Sequence, residues 1–284
     1  MQERDWTTAD SLETTDGRHF QVQREPITWP NKARIAVTWT VVFELLTSTS
    51  KHFTTANVIN SVYGGRRGIW RILDKFDTYG VRASIFVNGA AGEKFPQVVK
   101  EAVARGHEIV PYGYASNFYL EELNAQQERE HILKTIKIIG DLTGSKPRGW
   151  ASPEYRPGPN TLSILAEQGI VWNGDFPNDD VPYSCKVGGK KLVIIPYQLE
   201  SDSREIYERH RHHPDVWVDC FKRSFDTLYE EGAESPKMIN ATLHAYLARS
   251  LWMKALESTI QHTRQFSDVW YATRDEIADW WLKR

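Results

Sequence analysis

The chain contains 284 residues, of which 25% are charged, and its formal net charge at pH 7 is −2. Such a balanced charge gives no reason to expect a nucleic acid or a membrane surface as a partner. Two cysteines are too few for a disulfide framework. The first residues lack the apolar core of a signal peptide, and no apolar run approaches the roughly 18 residues that span a bilayer. We therefore expect a cytoplasmic protein.

Segments with strand and helix patterns alternate along most of the chain. Apolar β-branched runs predict strands, and apolar residues at helical spacing predict helices. In chain order we predict a strand at 34–43, a helix at 68–80, a strand at 82–89, a helix at 96–106, a strand at 107–110, helices at 120–144 and 161–169, strands at 170–175 and 191–197, a helix at 215–232, a strand at 237–244, and a strand then a helix within 269–281, with Thr273 as the helix cap. This alternation predicts βα units on a parallel sheet, closed as an α/β barrel.

Polar residues follow several of the predicted strands. Glu44, Tyr112, Asp175 and His244 each stand at the end of a strand or in the loop after it. In barrels of this type the functional site is built at the carboxyl ends of the strands. These four residues are therefore the first candidates for a functional site.

Several motifs in order along the chain resemble one family. They are WPNKARIAVTWTVVFE, YGGRRGIWRILDKFDTYGVRASIFVNG, GHEI, LTGSKPRGW, NDDVPY, VIIPY and TLHAYL. Together they resemble the polysaccharide deacetylase (NodB-homology) superfamily, and in particular its branch of metal-independent allantoinases and cyclic imide hydrolases. The resemblance implies a distorted (β/α) barrel of about seven strands over residues 29–284, with residues 1–28 as an N-terminal extension. It also implies hydrolysis of an amide, cyclic imide or cyclic ureide, or removal of an acyl group.

The resemblance gives Glu44 and His244 catalytic roles. Sugar deacetylases carry an acidic pair after the first strand, and Glu44 is the only carboxylate in that stretch here. It is the candidate general base, and its apolar neighbours are expected to raise its pKa. His244 matches the histidine that the family uses as the acid toward the leaving nitrogen or as a substrate contact. A solvated acid and a core histidine are the alternative interpretations.

Tyr112 and Ser116 stand where the family places two metal-binding histidines. A neutral phenol and a hydroxyl are poor zinc ligands, so we predict that no metal and no other cofactor is used. Tyr112 is a candidate donor to a carbonyl oxyanion. His107 precedes its strand and is expected to be a core or capping residue.

Further residues are candidates for substrate binding. Arg66 matches an arginine that the branch keeps, Glu154 and Arg156 lie in the third motif, and Asp175 is expected to orient Arg156 or His244. Loop charges are the alternative interpretation of Glu154 and Arg156. A flat substrate would be held by aromatic side chains, for which the candidates are Trp39, Tyr114, Trp150 and Trp172.

The favoured hypothesis is a metal-independent hydrolase that acts on a C–N bond of a small, flat or cyclic substrate. A non-hydrolytic enzyme on the same barrel, or a binding protein that has lost catalysis, are the alternatives. The histidine-rich tract at residues 210–213 is interpreted as a solvated surface loop rather than a metal site. The resemblance also implies a homo-oligomer, with a small molecule as the only other partner.

Overall fold

The computed structural model describes residues 27–284 and, before them, the strand Glu13–Thr14. The strands are β1 (Glu13–Thr14), β2 (Ile35–Phe43), β3 (Ser84–Val87), β4 (Glu108–Pro111), β5 (Gly149–Trp150), β6 (Trp172–Asn173), β7 (Tyr183–Val187), β8 (Lys190–Ile194), β9 (Lys237–His244) and β10 (Val269–Tyr271). The α-helices are α1 (Thr55–Tyr63), α2 (Ile69–Tyr79), α3 (Gly89–Lys94), α4 (Pro96–Ala104), α5 (Ala125–Thr143), α6 (Thr161–Glu167), α7 (Pro214–Glu231), α8 (Ser250–Thr263) and α9 (Arg274–Leu282).

The strands form two sheets that together make the predicted α/β barrel. In one sheet β2 is the central strand, parallel to β9 on one side and to β10 and β3 on the other, and β4 extends it beyond β3. The second sheet has the order β1-β7-β8-β6-β5. One seam is joined by a hydrogen bond from Ala151 N to Pro111 O (3.1 Å), and the other by a parallel bridge between Asp202 and Thr242. The α/β class predicted from the alternating pattern is confirmed.

The alternation of side chains along β2 decides where Glu44 points. Successive residues of a strand face opposite sides of the sheet. The odd-numbered residues of β2 lie in the core between the sheet and the outer helices, whereas Ala36 and Val42 lie in the core inside the barrel. Glu44 continues the even-numbered face, and the register of β2 with β9 pairs Val42 with His244. The two candidate catalytic residues therefore leave their strands at the same edge.

Several elements were not predicted from the sequence. These are the helices α1, α3 and α8 and the strands β1, β5 and β7. Helix α1 runs through a π-helical turn, Gly64–Gly68, directly into α2. The predicted capping role of Thr273 is confirmed, because its side chain accepts a hydrogen bond from Glu276 N. Within the described part of the chain, no helix has the length and apolar character needed to cross a membrane.

Candidate active site

Three charged side chains meet at the carboxyl edge of β2 and β9. His244 Nδ1 lies 2.7 Å from Glu44 Oε1, and His244 Nε2 lies 3.5 Å from Asp202 Oδ1. Each of the three side chains is no more than 5% exposed. The imidazole ring thus bridges two buried carboxylates, and the structure brings together the two residues to which the sequence gave catalytic roles.

Asp202 is held in place by hydrogen bonds to both of its oxygens. Oδ2 accepts hydrogen bonds from the hydroxyls of Tyr155 (2.8 Å) and Tyr197. Oδ1 accepts from the backbone N–H groups of Arg204 (2.6 Å) and Glu205 (3.2 Å). Charged acceptors with several donors are strongly favoured in their ionised form. Accordingly, burial alone would raise the pKa of Asp202, but His244 and these donors bring it below its usual value.

The charge of His244 follows from its two carboxylate neighbours. Burial by itself would lower its pKa, but Asp202 and Glu44 outweigh that effect and raise the pKa to about 9. For Glu44 burial would raise the pKa, but the hydrogen bond and charge of His244, together with Arg204, hold it below its usual value. At neutral pH the site therefore contains an imidazolium between two carboxylates. The sequence-based expectation of a raised Glu44 pKa differs from this result, since it considered only the apolar neighbours.

Ser116 and Tyr112 lie at this cluster but make different contacts. The Ser116 hydroxyl donates a hydrogen bond to Glu44 Oε2, the oxygen that His244 leaves unoccupied. The Tyr112 hydroxyl accepts a hydrogen bond of 3.1 Å from the backbone N–H of Glu154. Burial and the nearby Glu44 charge raise the pKa of Tyr112 well above its usual value, so its hydroxyl keeps its proton. Tyr112 therefore stays neutral in the barrel interior, where its hydroxyl accepts the hydrogen bond from Glu154 N.

Arg204 adds a positive charge beside Glu44. Its Nη1 is ion-paired with Glu154 Oε1, and its Nε donates to Glu208 Oε2 at 3.1 Å. Glu154 and the following Tyr155 both have left-handed backbone conformations, with φ of 60° and 55°. Such conformations cost free energy in residues other than glycine and persist where surrounding contacts enforce them. Here the contacts are the ion pair of Glu154 with Arg204 and the hydrogen bond of Tyr155 to Asp202.

A small cleft opens onto Glu44. Its empty volume, including the open mouth, is ≈ 320 Å³. Its walls come from the loop after β2, from α1 and from the segments after β8 and β9, and the lining residues are Glu44, Leu46, Phe53, Asn57, Asn60, Ser61, Arg204, Glu208 and Tyr246. His244 lies behind Glu44 as seen from this cleft.

The charged residues predicted for substrate binding do not all lie at this site. Arg66 is exposed on the π-helical turn and does not line the cleft. Arg156 donates to Glu121 at 2.6 Å and stacks over the Tyr119 ring at 3.8 Å. Glu154 belongs to the site, but as the partner of Arg204.

Asp175 is buried and accepts hydrogen bonds from the side chains of Ser152 and Asn173, both at 2.8 Å. It does not orient Arg156 or His244, as the sequence had suggested. Burial raises its pKa to about 6, since Ser152 and Asn173 compensate only part of the desolvation.

The predicted aromatic residues do not form a substrate cage. Trp39 packs on the outer face of β2 against Phe76 and Phe221, because it occupies an odd-numbered position of that strand. Trp150 and Trp172 are fully buried, and their indole N–H groups donate to Ser152 and Asp275.

Tyr114 donates to Glu93 and has Lys134 above its ring. None of these four aromatic side chains lines the cleft beside Glu44.

The side chains present do not fit the metal site of sugar deacetylases. Both Glu44 oxygens are already bound, one by His244 and the other by Ser116. Across the described residues, no group of three or more histidine, cysteine, aspartate or glutamate side chains has an arrangement that could hold a metal ion. His107 is a core residue whose Nδ1 accepts from Ala83 N at 3.2 Å.

The sequence prediction missed Asp202, Arg204 and the tyrosines that surround them. Tyr197, Asp202 and Arg204 follow β8, and Tyr155 follows β5, so the rule that points to strand ends also applies to them. The signal was weak because Asp202 stands several residues beyond the strand, after a short 3₁₀ turn at Leu199–Ser201. The bridge between Asp202 and Thr242, together with hydrogen bonds of Gln198 and Ser201 to Asn240, returns that loop to the edge of β9.

Comparison with known proteins decides the family. The profile of the polysaccharide deacetylase family matches residues 61–172. A polysaccharide deacetylase homologue of Schizosaccharomyces pombe is 30% identical, over 89% of this chain and 92% of the homologue. This chain belongs to the polysaccharide deacetylase family. The family resemblance inferred from the motifs is thereby confirmed.

Two further proteins similar to this chain are a peptidoglycan deacetylase and an allantoinase. A peptidoglycan deacetylase of Helicobacter pylori is 26% identical over 80% of this chain and 88% of its own length. The solved structure of PuuE allantoinase is 29% identical and superimposes with a TM-score of 0.83, covering 99% of this chain and 97% of the allantoinase. This chain is therefore similar both to a deacetylase and to an allantoinase, which are hydrolases of C–N bonds.

Proposed function

We propose that this protein hydrolyses a C–N bond in a small amide, cyclic imide or cyclic ureide without a metal ion. The observation that carries the proposal is the buried Glu44–His244–Asp202 cluster at the carboxyl edge of the barrel. A carboxylate that lines a cleft and contacts a protonated imidazole can accept a proton and then donate it. These are the two proton transfers that hydrolysis of an amide requires when no metal activates the water.

In the proposed reaction Glu44 accepts a proton from a water molecule in the cleft. The oxygen of that water attacks the carbonyl carbon, and the C–N bond of the tetrahedral intermediate then breaks. Glu44 then passes that proton to the leaving nitrogen and returns to its carboxylate form. The imidazolium of His244 contacts Glu44 and does not line the cleft, so it keeps its own proton and stabilises the carboxylate. Asp202 keeps the imidazole oriented and protonated.

The dimensions of the cleft favour a small substrate. Phe53 and Leu46 enclose the space beside Glu44, so the part of the cleft next to this carboxylate is narrow. Likeness to PuuE allantoinase over nearly the whole chain supports the same choice. A glycan chain would need a longer and more open groove.

The test is turnover by chelator-treated protein on a panel of substrates. The panel contains allantoin and hydantoin as cyclic ureides, succinimide and glutarimide as cyclic imides, and N-acetylglucosamine as an acylated amine. We expect hydrolysis of at least one cyclic substrate, and a loss of about 10²-fold or more in kcat for Glu44→Gln and for His244→Ala.

A second pair of side chains provides the matched control. His262 and Asp226 form another histidine–carboxylate contact, 2.6 Å long, between α8 and α7. His262→Gln and Asp226→Asn should leave turnover unchanged. Activity that disappears with chelator and returns with zinc would contradict the metal-free mechanism, and the absence of any turnover would favour a binding protein that has lost catalysis.

A further inference from the structure

We infer that Arg204 binds and polarises the substrate's carbonyl oxygen through its Nη2 amino group. This inference rests on the proposed hydrolysis and names the group that stabilises the oxyanion in it. Arg204 is the only arginine that lines the cleft with Glu44 among the described residues.

The anchoring of Arg204 leaves one amino group of its guanidinium, Nη2, available. Nη1 is held by Glu154 and Nε by Glu208, and the side chain is only 14% exposed. Phe53 lies against the guanidinium, with its ring centroid 5.8 Å from Cζ. In the described part of the structure, Nη2 has no hydrogen-bond partner. The Arg204 side chain thus lines the cleft that also contains Glu44, and its Nη2 donors are not used by the protein's described residues.

A guanidinium fixed in this way is well suited to an oxyanion. Its planar donors are preorganised, so little reorganisation is needed as negative charge develops on the substrate oxygen. When the water oxygen bonds to the carbonyl carbon, the electron pair of the C=O bond moves to the oxygen at Nη2. That pair re-forms the C=O bond as the C–N bond breaks, and the nitrogen leaves with the proton supplied through Glu44.

The other candidates for this role are less well placed. Arg66 is exposed outside the cleft, and Arg156 is paired with Glu121. The Tyr112 hydroxyl is bound to the backbone of Glu154 and does not line the cleft. Arg204 therefore replaces these residues as the group next to the substrate.

The experiment compares variants of Arg204 with a variant of Arg209. Arg209 also pairs with Glu154, but it is 53% exposed and does not line the cleft. Because removal of Arg204 alone would leave Glu154 buried without its main partner, the neutral variant is the double substitution Arg204→Gln/Glu154→Gln. Arg204→Lys retains the positive charge and provides a second variant if the double variant does not fold.

We expect kcat to fall about 10²-fold in the double variant and at least about 10-fold in Arg204→Lys, whose single compact ammonium cannot occupy the separate positions of Nε, Nη1 and Nη2 at once. Arg209→Gln should keep kcat within about twofold of the wild-type value. Millimolar guanidinium chloride should restore part of the turnover of the double variant, an effect that a purely structural role of Arg204 would not produce. Circular dichroism checks that each variant is folded.

Calorimetry measures the binding of hydantoin to the Glu44→Gln protein with and without the Arg204 substitutions. Binding can then be judged separately from turnover, which distinguishes the contact with Arg204 from the hydrolase proposal. If wild-type protein turns over a substrate while either Arg204 variant keeps its full kcat, the role of Arg204 is overturned and the hydrolase proposal stands. If the protein neither turns over the panel nor binds hydantoin, both proposals fail. If hydantoin binds but no substrate is turned over, only the contact with Arg204 can still be upheld. Loss of binding in the double variant would uphold that contact, and unchanged binding would overturn it.

Discussion

His244 shows how neighbouring charges decide the chemistry of a single residue. A histidine at the end of an apolar strand is often a neutral core residue, but here both ring nitrogens face buried carboxylates. The attraction of Glu44 and Asp202 exceeds the cost of burying the charge, so the pKa of His244 rises to about 9. His244 therefore stays protonated throughout the neutral pH range.

This charge state predicts the pH dependence of the proposed reaction. The active form requires ionised Glu44 and protonated His244. Since the pKa of Glu44 lies below its usual value and that of His244 is about 9, kcat/KM should be nearly constant over about two pH units, from pH 6 to pH 8. It should decrease at higher pH as His244 loses its proton. Steady-state kinetics between about pH 5 and pH 10 measure this profile.

The His262→Gln variant serves as the control for the profile and should retain the same alkaline decrease. A profile that changes near the ordinary histidine pKa of about 6.5 instead would show that the two carboxylates do not determine the protonation of His244.

At the level of elements, the π-helical turn between α1 and α2 packs against the turn that follows His244. A Cβ added to Gly68 would lie 1.8 Å from Ala245 O, which is backbone and cannot move independently. The turn Ala245–Leu247 carries Tyr246, which lines the cleft. The glycine of this turn thus permits the close approach that positions one wall of the site.

We therefore expect Gly68→Ala to destabilise the protein by at least about 2 kcal/mol, because the clash must displace one of two packed segments. Gly140→Ala is the matched control: Gly140 is also helical, but its added Cβ would meet only ordinary contacts of 3.6 Å or more. It should be neutral or stabilising by about 0.5–1 kcal/mol, owing to the higher helix propensity of alanine. Denaturant unfolding of both variants measures the difference, and equal stabilities would contradict this packing.

For the whole molecule, the buried cluster couples folding stability to pH. A histidine whose pKa rises from 6.5 to about 9 on folding stabilises the folded state fully below pH 6.5, and this contribution is lost as pH rises through 9. The lowered pKa values of Glu44 and Asp202 act in the opposite direction, with stabilisation that is lost in acid. The cluster therefore supports the fold most strongly in weakly acidic to neutral solution.

We predict that the free energy of unfolding decreases between about pH 6.5 and pH 9.5, with about 3 kcal/mol of the change due to His244. The raised pKa values of Glu108 and Asp175 also reduce stability as pH rises, so His244→Gln is the required comparison. Urea unfolding at a series of pH values measures both proteins. Identical slopes for wild type and His244→Gln would contradict the coupling.

The sequence by itself determined the elements and the class of fold, because hydrophobic spacing and helix caps act within a few neighbouring residues. The pattern predicted β2, α5 and β9 and the cap at Thr273, and the motifs pointed to the deacetylase family. It also selected Glu44 and His244, because both end apolar strands.

Only the tertiary structure decided which charges meet. Glu44 and His244 are 200 residues apart in the chain, and Asp202 and Arg204 reach them from a loop with no distinctive pattern. Trp39 was placed outside the barrel by strand alternation, whereas Arg156 was drawn to Glu121. Ion pairs and burial depend on distances between segments remote in sequence, and these arise only when the barrel assembles.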